Sequence, residues 1–352
     1  MTRATLTVDL LAIVENYRRL TAQVKTAEVA AVVKADGYGL GAKPVAMALA
    51  AAGCKTFFVA HVEEGADLRP TIAGRKLYIL HGYTPANKAA FAEHKLSPVL
   101  SSVGQLSDWL KSGLRADCAL HLDTGMSRLG LSQADLKTVE GAVTPSLVMS
   151  HLASSDDPEH EKNEAQLARF KALAKRFPGT ALSLAASGGC FLRGDYAFDL
   201  VRPGIALYGG NPRKSGENPM RGTVTLTAPL LQVRSIDRGD TVGYGATYAA
   251  SGPRRLGVAA IGYADGLLRT LSNRGFGVIA GVKCPIVGRV SMDLVTLDVT
   301  EVAERDAHAG ADVEFIGPNQ TVDELAAAAG TLPYEIYTRL GDRITRHYTG
   351  AR

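Results

Sequence analysis

The chain has 352 residues, a formal net charge of +4, and 46% hydrophobic and 21% charged residues, which predicts about two folded domains and excludes a mainly disordered protein. So small a net charge gives no indication of a nucleic-acid partner. No apolar stretch reaches the ~20 residues of a membrane span, and no secretory signal opens the sequence, so we expect a cytoplasmic protein.

Cysteine usage agrees with that expectation. Cys54, Cys118, Cys190 and Cys284 are far apart and form no Cys-x-x-Cys pair. This spacing favours reduced thiols over a disulfide framework or a zinc site, so we predict no bound metal.

Short apolar strands alternate with amphipathic segments over about the first 210 residues, as is typical of parallel βα units buried on both faces. We predict strands over residues 29–34, 56–60, 77–80, 97–100, 117–122, 147–151, 181–185 and 198–202. Helices are predicted between them, among others over residues 43–52, 85–93, 102–111, 132–141 and 161–176. Eight such strands predict a (β/α)8 barrel of the TIM type, with an open doubly wound sheet as the alternative.

A polar stretch rich in proline and glycine, residues 211–219, interrupts this pattern and indicates a linker. Beyond it, strand-like runs follow one another closely, at residues 224–236, 255–261, 277–280, 294–299 and 313–316. The only clear helix there is 322–329, capped by Thr321. We predict an α/β barrel over residues 8–218 and a mostly β domain over residues 219–352, with residues 1–7 as a candidate addition to the second domain.

Chemistry in such a barrel occurs at the carboxyl ends of the strands. Lys34 ends the first predicted strand and His151 ends the sixth. Burial would lower the pKa of a lysine there and leave a nucleophilic amine able to form a Schiff base. The alternative is a lysine that extends from the strand end into solvent.

The glycines after Lys34 admit a different interpretation. The run from Gly37 to Ala42 fits G-x-G-x-x-A, and Glu63 follows about twenty residues later, as in a dinucleotide-binding site. The bulky Tyr38 between the first two glycines argues against it, because the backbone must approach the pyrophosphate closely.

Two further loops have the composition of an anion site. The Ser187-Gly188-Gly189 run after strand seven and Gly204-Ile205 after strand eight offer backbone N–H groups and a hydroxyl. Loops at these two places bind phosphate in barrels of this type. The alternative is that the glycines only form turns.

Two arginines follow barrel strands. Arg128 is suited to bind a substrate carboxylate through two nitrogens, or else forms a surface salt bridge. Arg202 ends an apolar strand, where a buried charge needs an acceptor. A heteroaromatic ring nitrogen and the carboxylate of Asp199 are the two candidate acceptors.

The β domain offers one further candidate residue. Tyr244 lies between Gly243 and Gly245, whose small size leaves its phenol accessible for acid–base chemistry. The alternative is a strand aromatic that packs on a core.

Taken together, these motifs make the chain resemble the alanine racemases, pyridoxal-phosphate enzymes with a barrel and a β domain. The resemblance covers nearly the whole chain and rests on six motifs in the family's order, at residues 33–39, 122–130, 202–209, 244–248, 262–266 and 291–293.

The resemblance implies that Lys34 carries pyridoxal phosphate as an internal aldimine and is one catalytic base. Tyr244 of the partner subunit would be the other, so that a proton leaves one face of the α-carbon and another arrives on the opposite face. The resemblance also implies a homodimer, because one of the two bases comes from a partner subunit. Arg128 and the backbone of the partner's Met292 would bind the substrate carboxylate.

The remaining implied contacts concern the cofactor. Arg202 beside the pyridine nitrogen would keep that nitrogen unprotonated and favour racemisation over transamination, and His151 would assist Tyr244 through Arg202. The residues implied around the phosphate are Ser187, Gly204, Ile205, Tyr38 and Tyr334. Tyr263 and Tyr334 would narrow the entrance.

Two positions depart from the family pattern. His121 stands where many members carry a carboxylated lysine that orients the substrate-binding arginine. We expect a bound anion or water to serve that purpose beside Arg128. Ala186 stands where an asparagine near the phosphate and the cofactor hydroxyl is typical. Neither position touches the implied proton-transfer pair.

The sequence therefore predicts racemisation between L-alanine and D-alanine, which supplies D-alanine for peptidoglycan. A racemase of broader amino-acid specificity, a non-catalytic pyridoxal-phosphate-binding barrel and a nicotinamide dehydrogenase are the alternatives. The binding barrel lacks a β domain, so the chain past Arg221 argues against it.

Overall fold

The computed structural model describes residues 3–139 and 141–350. The chain forms two compact units, one from the amino terminus to Ala12 and from Gly222 onward, the other Ile13–Arg221. No helix in these described ranges is long and apolar enough to cross a membrane. The four cysteines are buried and free.

The elements up to Arg221 are, in chain order, β1 (Thr5–Asp9), α1 (Leu10–Val24), β2 (Glu28–Val29), β3 (Ala31–Val32), α2 (Lys34–Tyr38), α3 (Ala42–Ala51), β4 (Thr56–Val59), α4 (Val62–Leu68), β5 (Lys76–Ile79), a 3-10 turn (Pro85–Asn87), α5 (Lys88–Glu93), β6 (Ser97–Leu100), α6 (Val103–Ser112), β7 (Ala119–His121), α7 (Gln133–Val139), β8 (Leu147–Met149), α8 (Lys162–Ala174), β9 (Ala181–Ser183), two 3-10 turns (Gly188–Phe191 and Gly194–Tyr196) and β10 (Leu200–Val201).

The elements beyond Arg221 are β11 (Val224–Ile236), β12 (Thr241–Val242), a 3-10 turn (Tyr244–Ala246), β13 (Tyr248–Ala249), β14 (Arg254–Ala259), a 3-10 turn (Arg269–Leu271), β15 (Phe276–Ile279), β16 (Val282–Pro285), β17 (Val295–Asp298), β18 (Asp312–Ile316), α9 (Val322–Ala329), α10 (Pro333–Thr338) and β19 (Thr345–Thr349).

The unit Ile13–Arg221 is a closed parallel barrel. Seven strands form one sheet in the order β3-β4-β5-β6-β7-β8-β9, and β10 pairs in parallel with β2. The Arg202 N–H donates to Ala185 O beyond β9 at 2.9 Å, and the Ala30 N–H between β2 and β3 donates to Val201 O at 2.9 Å. The ring is therefore complete, which confirms the predicted (β/α)8 barrel and excludes the open sheet.

The barrel strands are apolar because both of their faces are covered. All four residues of β4 are buried, as are the last three residues of β5. Their register pairs Phe57 with Leu77 and Phe58 with Tyr78. Helices cover the outer face and facing strands fill the interior, so apolar residues follow one another without polar alternation.

Strand one is shorter than predicted. β3 ends at Val32, and Lys34 is the first residue of α2, so the placement of Lys34 as the last residue of a strand is wrong. The chain turns there because the Gly37 N–H donates back to Val33 O at 2.9 Å and no longer to the neighbouring strand. Of the predicted helix over residues 132–141, α7 covers Gln133–Val139, and Glu140 lies outside the described residues.

The other unit is built on an eight-stranded sheet in the order β16-β15-β18-β11-β1-β19, with β14 on β11 and β17 on β14. The long β11 matches its predicted bounds, pairing with β1 and β18 through its first half and with β14 through its second. Its register shifts between Leu230 and Gln232, as at a β-bulge. This confirms the mostly β C-terminal domain of the predicted fold class.

Helix α9 follows Thr321 as predicted, with the Thr321 hydroxyl accepting the Glu324 N–H at 3.1 Å. The expectation of a single helix in this region is wrong, because α10 follows at once. Helix α10 has only six residues and begins with Pro333, so it is too short to show a helical period in the sequence.

Candidate active site

Lys34 lies where the chain leaves strand β3 at the carboxyl end of the barrel. Burial lowers the pKa of its amine, the positive charge of Arg128 lowers it further, and the negative charge of Glu64 opposes both. A lowered pKa increases the neutral, nucleophilic fraction of the amine at neutral pH. The side chain therefore does not extend freely into solvent.

The turn after Lys34 is left-handed. Ala35, Asp36 and Tyr38 have φ of 51°, 51° and 58°, and Gly37 between them has 62°. Left-handed helical backbone costs roughly 1–2 kcal/mol for each residue with a Cβ. The turn ends with Tyr38 buried at 7% exposure, its ring 4.7 Å from that of Tyr208.

This geometry disfavours the dinucleotide interpretation of the glycines. Gly37, Gly39 and Gly41 all have positive φ, so the backbone conformation between Lys34 and α3 accounts for these glycines without a bound dinucleotide. The buried Tyr38 ring lies where the backbone of a dinucleotide loop would have to approach the pyrophosphate, and Glu63 is exposed.

Hydrogen-bond donors converge beside Tyr38. The Ser187 Oγ accepts the N–H groups of Gly204 at 2.9 Å and Ala206 at 3.2 Å. Two accepted bonds occupy both lone pairs of the hydroxyl, so its proton is left to donate elsewhere. The Ile205 N–H has no protein acceptor among the described residues.

Gly204 brings the Tyr38 hydroxyl into the same place. A Cβ on Gly204 would overlap the Tyr38 Oη and lie 2.7 Å from its Cζ. The phenol therefore lies against the backbone of Gly204, in the loop whose N–H groups donate to the Ser187 hydroxyl. Hydroxyl and backbone donors gathered in the loops after strands seven and eight form a cradle suited to a phosphate group.

Arg202 is a buried cation that no carboxylate in the described part of the chain accompanies. Its side chain is buried, and its guanidinium donates to Ser150 O at 2.5 Å and to Ser183 Oγ. Burial lowers the pKa of Arg202 to about 10, which leaves it charged at neutral pH.

The alternative acceptor for Arg202, the Asp199 carboxylate, is bonded to a different group. The Asp199 carboxylate accepts the Leu182 N–H at 2.8 Å, and within residues 3–139 and 141–350 no carboxylate is paired with Arg202. A further electron-rich acceptor, such as a heteroaromatic ring nitrogen, would stabilise a buried guanidinium in this state.

Two histidines are kept neutral beside these cations. Burial, with the positive charges of Arg202 and Arg128, lowers the pKa of His121 to about 4 and that of His151 to about 3. His121 is the last residue of β7. The mouth of the barrel is therefore electropositive through its arginines and not through its histidines.

The exposed Arg128 belongs to a loop that the Asp123 carboxylate organises, since one of its oxygens accepts the N–H groups of Gly125, Met126 and Ser127 at 2.8, 3.0 and 3.1 Å. Gln166, buried on α8, joins this loop to the next, because its amide contacts Thr124 Oγ1 at 3.2 Å and His151 O at 2.9 Å. Gln166 was not predicted as a site residue, because its one signal in the sequence is an uncharged polar residue among the apolar positions of a helix.

The strand-rich unit presents a second group of predicted residues. Tyr244 is 72% exposed and Met292 is 53% exposed, so the interpretation of Tyr244 as a core aromatic is wrong. The Tyr263 N–H donates to Ser291 O at 3.0 Å, which joins the loops of Tyr263 and Met292. The Met292 N–H has no acceptor among the described residues, and Tyr334 lies half-exposed on α10.

The structure thus brings together Lys34, Tyr38, Ser187, Gly204, Ile205, Arg202 and His151 within the barrel unit, with Arg128 close enough to act on the pKa of Lys34. In the strand-rich unit, it joins the loops of Tyr263 and Met292. Throughout the described part of the chain, no three His, Cys, Asp or Glu side chains are grouped so that they could hold a metal ion.

A closed parallel barrel with an anion cradle and a partly desolvated lysine at its mouth, together with a separate strand-rich unit, defines a barrel-type enzyme with a C-terminal β domain. Residues 8–212 match the family model "Alanine racemase, N-terminal domain" and residues 223–348 match "Alanine racemase, C-terminal domain". The chain belongs to the alanine racemase family.

Individual relatives agree with this assignment. The chain is 46% identical to the alanine racemase of Rhodospirillum rubrum, with 99% of this chain and 96% of that protein covered. It is 44% identical to an Agrobacterium fabrum protein named a catabolic alanine racemase, with 97% and 91% covered. The crystal structure of Bartonella henselae alanine racemase with covalently bound pyridoxal phosphate has a TM-score of 0.94 at 39% identity, covering 99% of this chain and 100% of that one.

Proposed function

We propose that this protein interconverts L-alanine and D-alanine with pyridoxal phosphate as its cofactor. The observation that carries the proposal is the convergence, at one barrel mouth, of an anion cradle, a partly desolvated lysine and a buried arginine that pairs with no carboxylate among the described residues. Each of these features is suited to a different part of the same cofactor.

The donor set fits pyridoxal phosphate group by group. The Ser187 hydroxyl, the Ile205 N–H and the Tyr38 hydroxyl suit the phosphate. Gly204 lies among them, where the lack of a side chain leaves room for the Tyr38 hydroxyl, and Tyr334 is a further contact that the family resemblance implies. The neutral fraction of the Lys34 amine suits an aldehyde, as in the Bartonella henselae structure, whose cofactor is covalently bound. When bound, the cofactor stabilises the electron pair left on the α-carbon after a proton departs.

Arg202 suits the ring nitrogen of the cofactor. It keeps its own proton at neutral pH, so it would donate a hydrogen bond to the ring nitrogen and would leave that nitrogen unprotonated. A weaker electron sink favours return of a proton to the α-carbon over transamination. His151 belongs to the same cluster, where it assists the base through Arg202.

Inversion of the α-carbon requires bases on opposite faces. We assign them to the Nζ of Lys34, which serves the D-enantiomer, and the Oη of Tyr244 in a second copy of the chain, which serves the L-enantiomer. The lowered pKa of Lys34 and the 72% exposure of Tyr244 support these roles. The guanidinium of Arg128 and the N–H of the second copy's Met292 bind the substrate carboxylate.

A homodimer follows from this assignment. Tyr244, Tyr263, Met292 and Tyr334 are exposed in the strand-rich unit, and large exposed apolar side chains in one unit are typical of a surface that a partner covers. In the dimer Tyr263 and Tyr334 line a narrow entrance. The cellular role we propose is that of a cytoplasmic enzyme that supplies D-alanine for peptidoglycan.

The test is chiral chromatography after separate incubation of the pyridoxal-phosphate-loaded protein with L-alanine, L-serine and L-lysine. We expect D-alanine to form fastest by a wide margin. Comparable inversion of serine or lysine would identify a broad racemase instead. No inversion of any of the three, with cofactor bound, would overturn the proposal and favour another reaction or a binding role.

A further inference from the structure

Glu64 makes contacts that the proposed mechanism does not use. It is the third residue of α4 and is half-buried. One carboxylate oxygen accepts the Ala35 N–H at 2.6 Å, and the other accepts the N–H groups of Ala60 at 2.7 Å and His61 at 3.0 Å. One side chain thus joins the end of β4 to the peptide that directly follows Lys34.

The contact to Ala35 falls where the backbone needs support. Ala35, Asp36 and Tyr38 hold left-handed φ, a conformation that is unfavourable for each residue with a Cβ. Hydrogen bonds within the turn, such as Gly39 N to Ala35 O at 2.7 Å, offset part of this cost. A carboxylate that accepts a backbone N–H makes a charge-assisted bond, which is about twice as strong as a neutral one.

We propose that Glu64 is a positioning residue for Lys34, whose carboxylate holds the Lys34–Ala35 peptide in the left-handed turn and so directs the amine into the barrel mouth. This inference rests on the proposed function, because it takes Lys34 as the residue that binds the cofactor. Glu64 itself touches neither substrate nor cofactor.

Glu64 also acts on Lys34 through charge. The groups whose charges act on Lys34 are Arg128, which lowers the pKa of the amine, and Glu64, which raises it. His81 and His151 respond in turn to the charge of Lys34. Loss of the Glu64 charge therefore lowers the pKa of Lys34, which a purely structural helix cap would not do.

The chain contains a matched control for helix capping. Glu324 is likewise the third residue of its helix, α9, and its carboxylate accepts the Thr321 N–H at 2.8 Å. Glu324→Gln thus removes the same kind of capping contact from a helix of the other unit. Any effect of Glu64→Gln beyond that of Glu324→Gln reports on Lys34.

The experiment follows the absorbance of apo protein mixed with excess pyridoxal phosphate, over a range of pH. We expect Glu64→Gln to slow adduct formation by about tenfold at the pH plateau and to shift the midpoint of the profile to lower pH. Glu64→Asp keeps the negative charge, but its side chain is too short to accept the Ala35 N–H, so it should slow adduct formation and leave the midpoint of the pH profile unchanged. Glu324→Gln should behave as the unaltered protein.

A second substitution tests whether backbone conformation is the cause. Glycine adopts positive φ without a steric cost, so Ala35→Gly should restore most of the plateau rate to Glu64→Gln. Far-ultraviolet circular dichroism would verify that each variant is folded.

Glu64→Gln with the rate and midpoint of the unaltered protein would overturn the inference, as would failure of Ala35→Gly to restore the rate. No adduct in the unaltered protein would instead overturn the proposed function, and this inference with it.

Discussion

Gly204→Ala tests the anion cradle at its tightest point. The added Cβ would overlap the Tyr38 Oη and lie 2.7 Å from the Cζ, closer than real Cβ atoms come. The Tyr38 ring cannot retreat easily, because it contacts the fully buried Tyr208 ring, whose hydroxyl donates to Val32 O at 3.0 Å.

Overpacking of this kind costs about 1–3 kcal/mol of unfolding free energy. If Tyr38 is displaced, the phosphate also loses one hydrogen bond to a charged group, worth roughly 1.5–3 kcal/mol. That loss corresponds to a weakening of cofactor affinity by about ten- to a hundredfold. We therefore expect Gly204→Ala to lower both stability and affinity.

Two measurements separate these effects: urea unfolding of the apo protein, and its titration with pyridoxal phosphate. Gly194→Ala is the control, because a Cβ there meets nothing within 4 Å. Adding Tyr38→Phe to Gly204→Ala removes the overlapping Oη, so stability should partly recover while affinity stays low. Full cofactor affinity in Gly204→Ala would refute the role of Tyr38 in the cradle.

Three further predictions concern other parts of the site. Tyr244→Phe should abolish racemisation and leave the bound cofactor's absorbance unchanged, whereas loss of the cofactor would show that Tyr244 is not a base. The neutral His121, with its pKa lowered to about 4, takes up protons only when unfolded as pH falls below about 6.5. Between about pH 6.5 and the folded-state pKa of about 4, His121 should therefore lower apo stability by about 1.4 kcal/mol per pH unit. Because the pKa of His151 is also lowered, to about 3, part of the total slope remains without His121, so urea titrations should find the slope smaller by that amount in His121→Gln and unchanged in the exposed His308→Gln control. Gly262→Ala would place a Cβ over the carbonyl oxygen of Met292, so the KM for alanine should rise by about tenfold with cofactor binding intact. Gly252→Ala is the control, because a Cβ there meets nothing within 4 Å. An unchanged KM in Gly262→Ala would contradict the assignment of the Met292 loop to substrate binding.

The barrel was predictable because its strands are buried on both faces. The near-continuous apolar runs of β4, β5 and β6 stand out at any point in the chain, and this pattern has few other structural explanations. The bounds of β11 and the start of α9 after Thr321 were predictable for similarly local reasons. By contrast, β19 is mostly exposed and pairs with β1 from the other end of the chain. The local sequence of β19 does not indicate which strand it pairs with.

The candidate residues divide along the same line. Lys34, Ser187 and Arg202 stand out in the sequence because reactive side chains directly follow apolar strands, and barrel strands all end at one face. Glu64 and Gln166 lie within helices and do not directly follow a strand, so their place in the sequence does not indicate a role in the site. A glutamate near the start of a helix is ordinary capping chemistry, and only the folded chain brings its carboxylate to the N–H of Ala35.

Local physical chemistry thus determined the barrel, the strand-rich domain and the residue types at the barrel mouth, because hydrophobic patterns and strand ends are properties of short segments. Only the tertiary structure decided the left-handed turn after Lys34, the contact of Tyr38 with Gly204 and the burial of the Arg202 guanidinium against Ser150 and Ser183. Alanine, aspartate and tyrosine have no strong preference for positive φ. They adopt it here because contacts distant in sequence, from Glu64 and Tyr208, offset the cost.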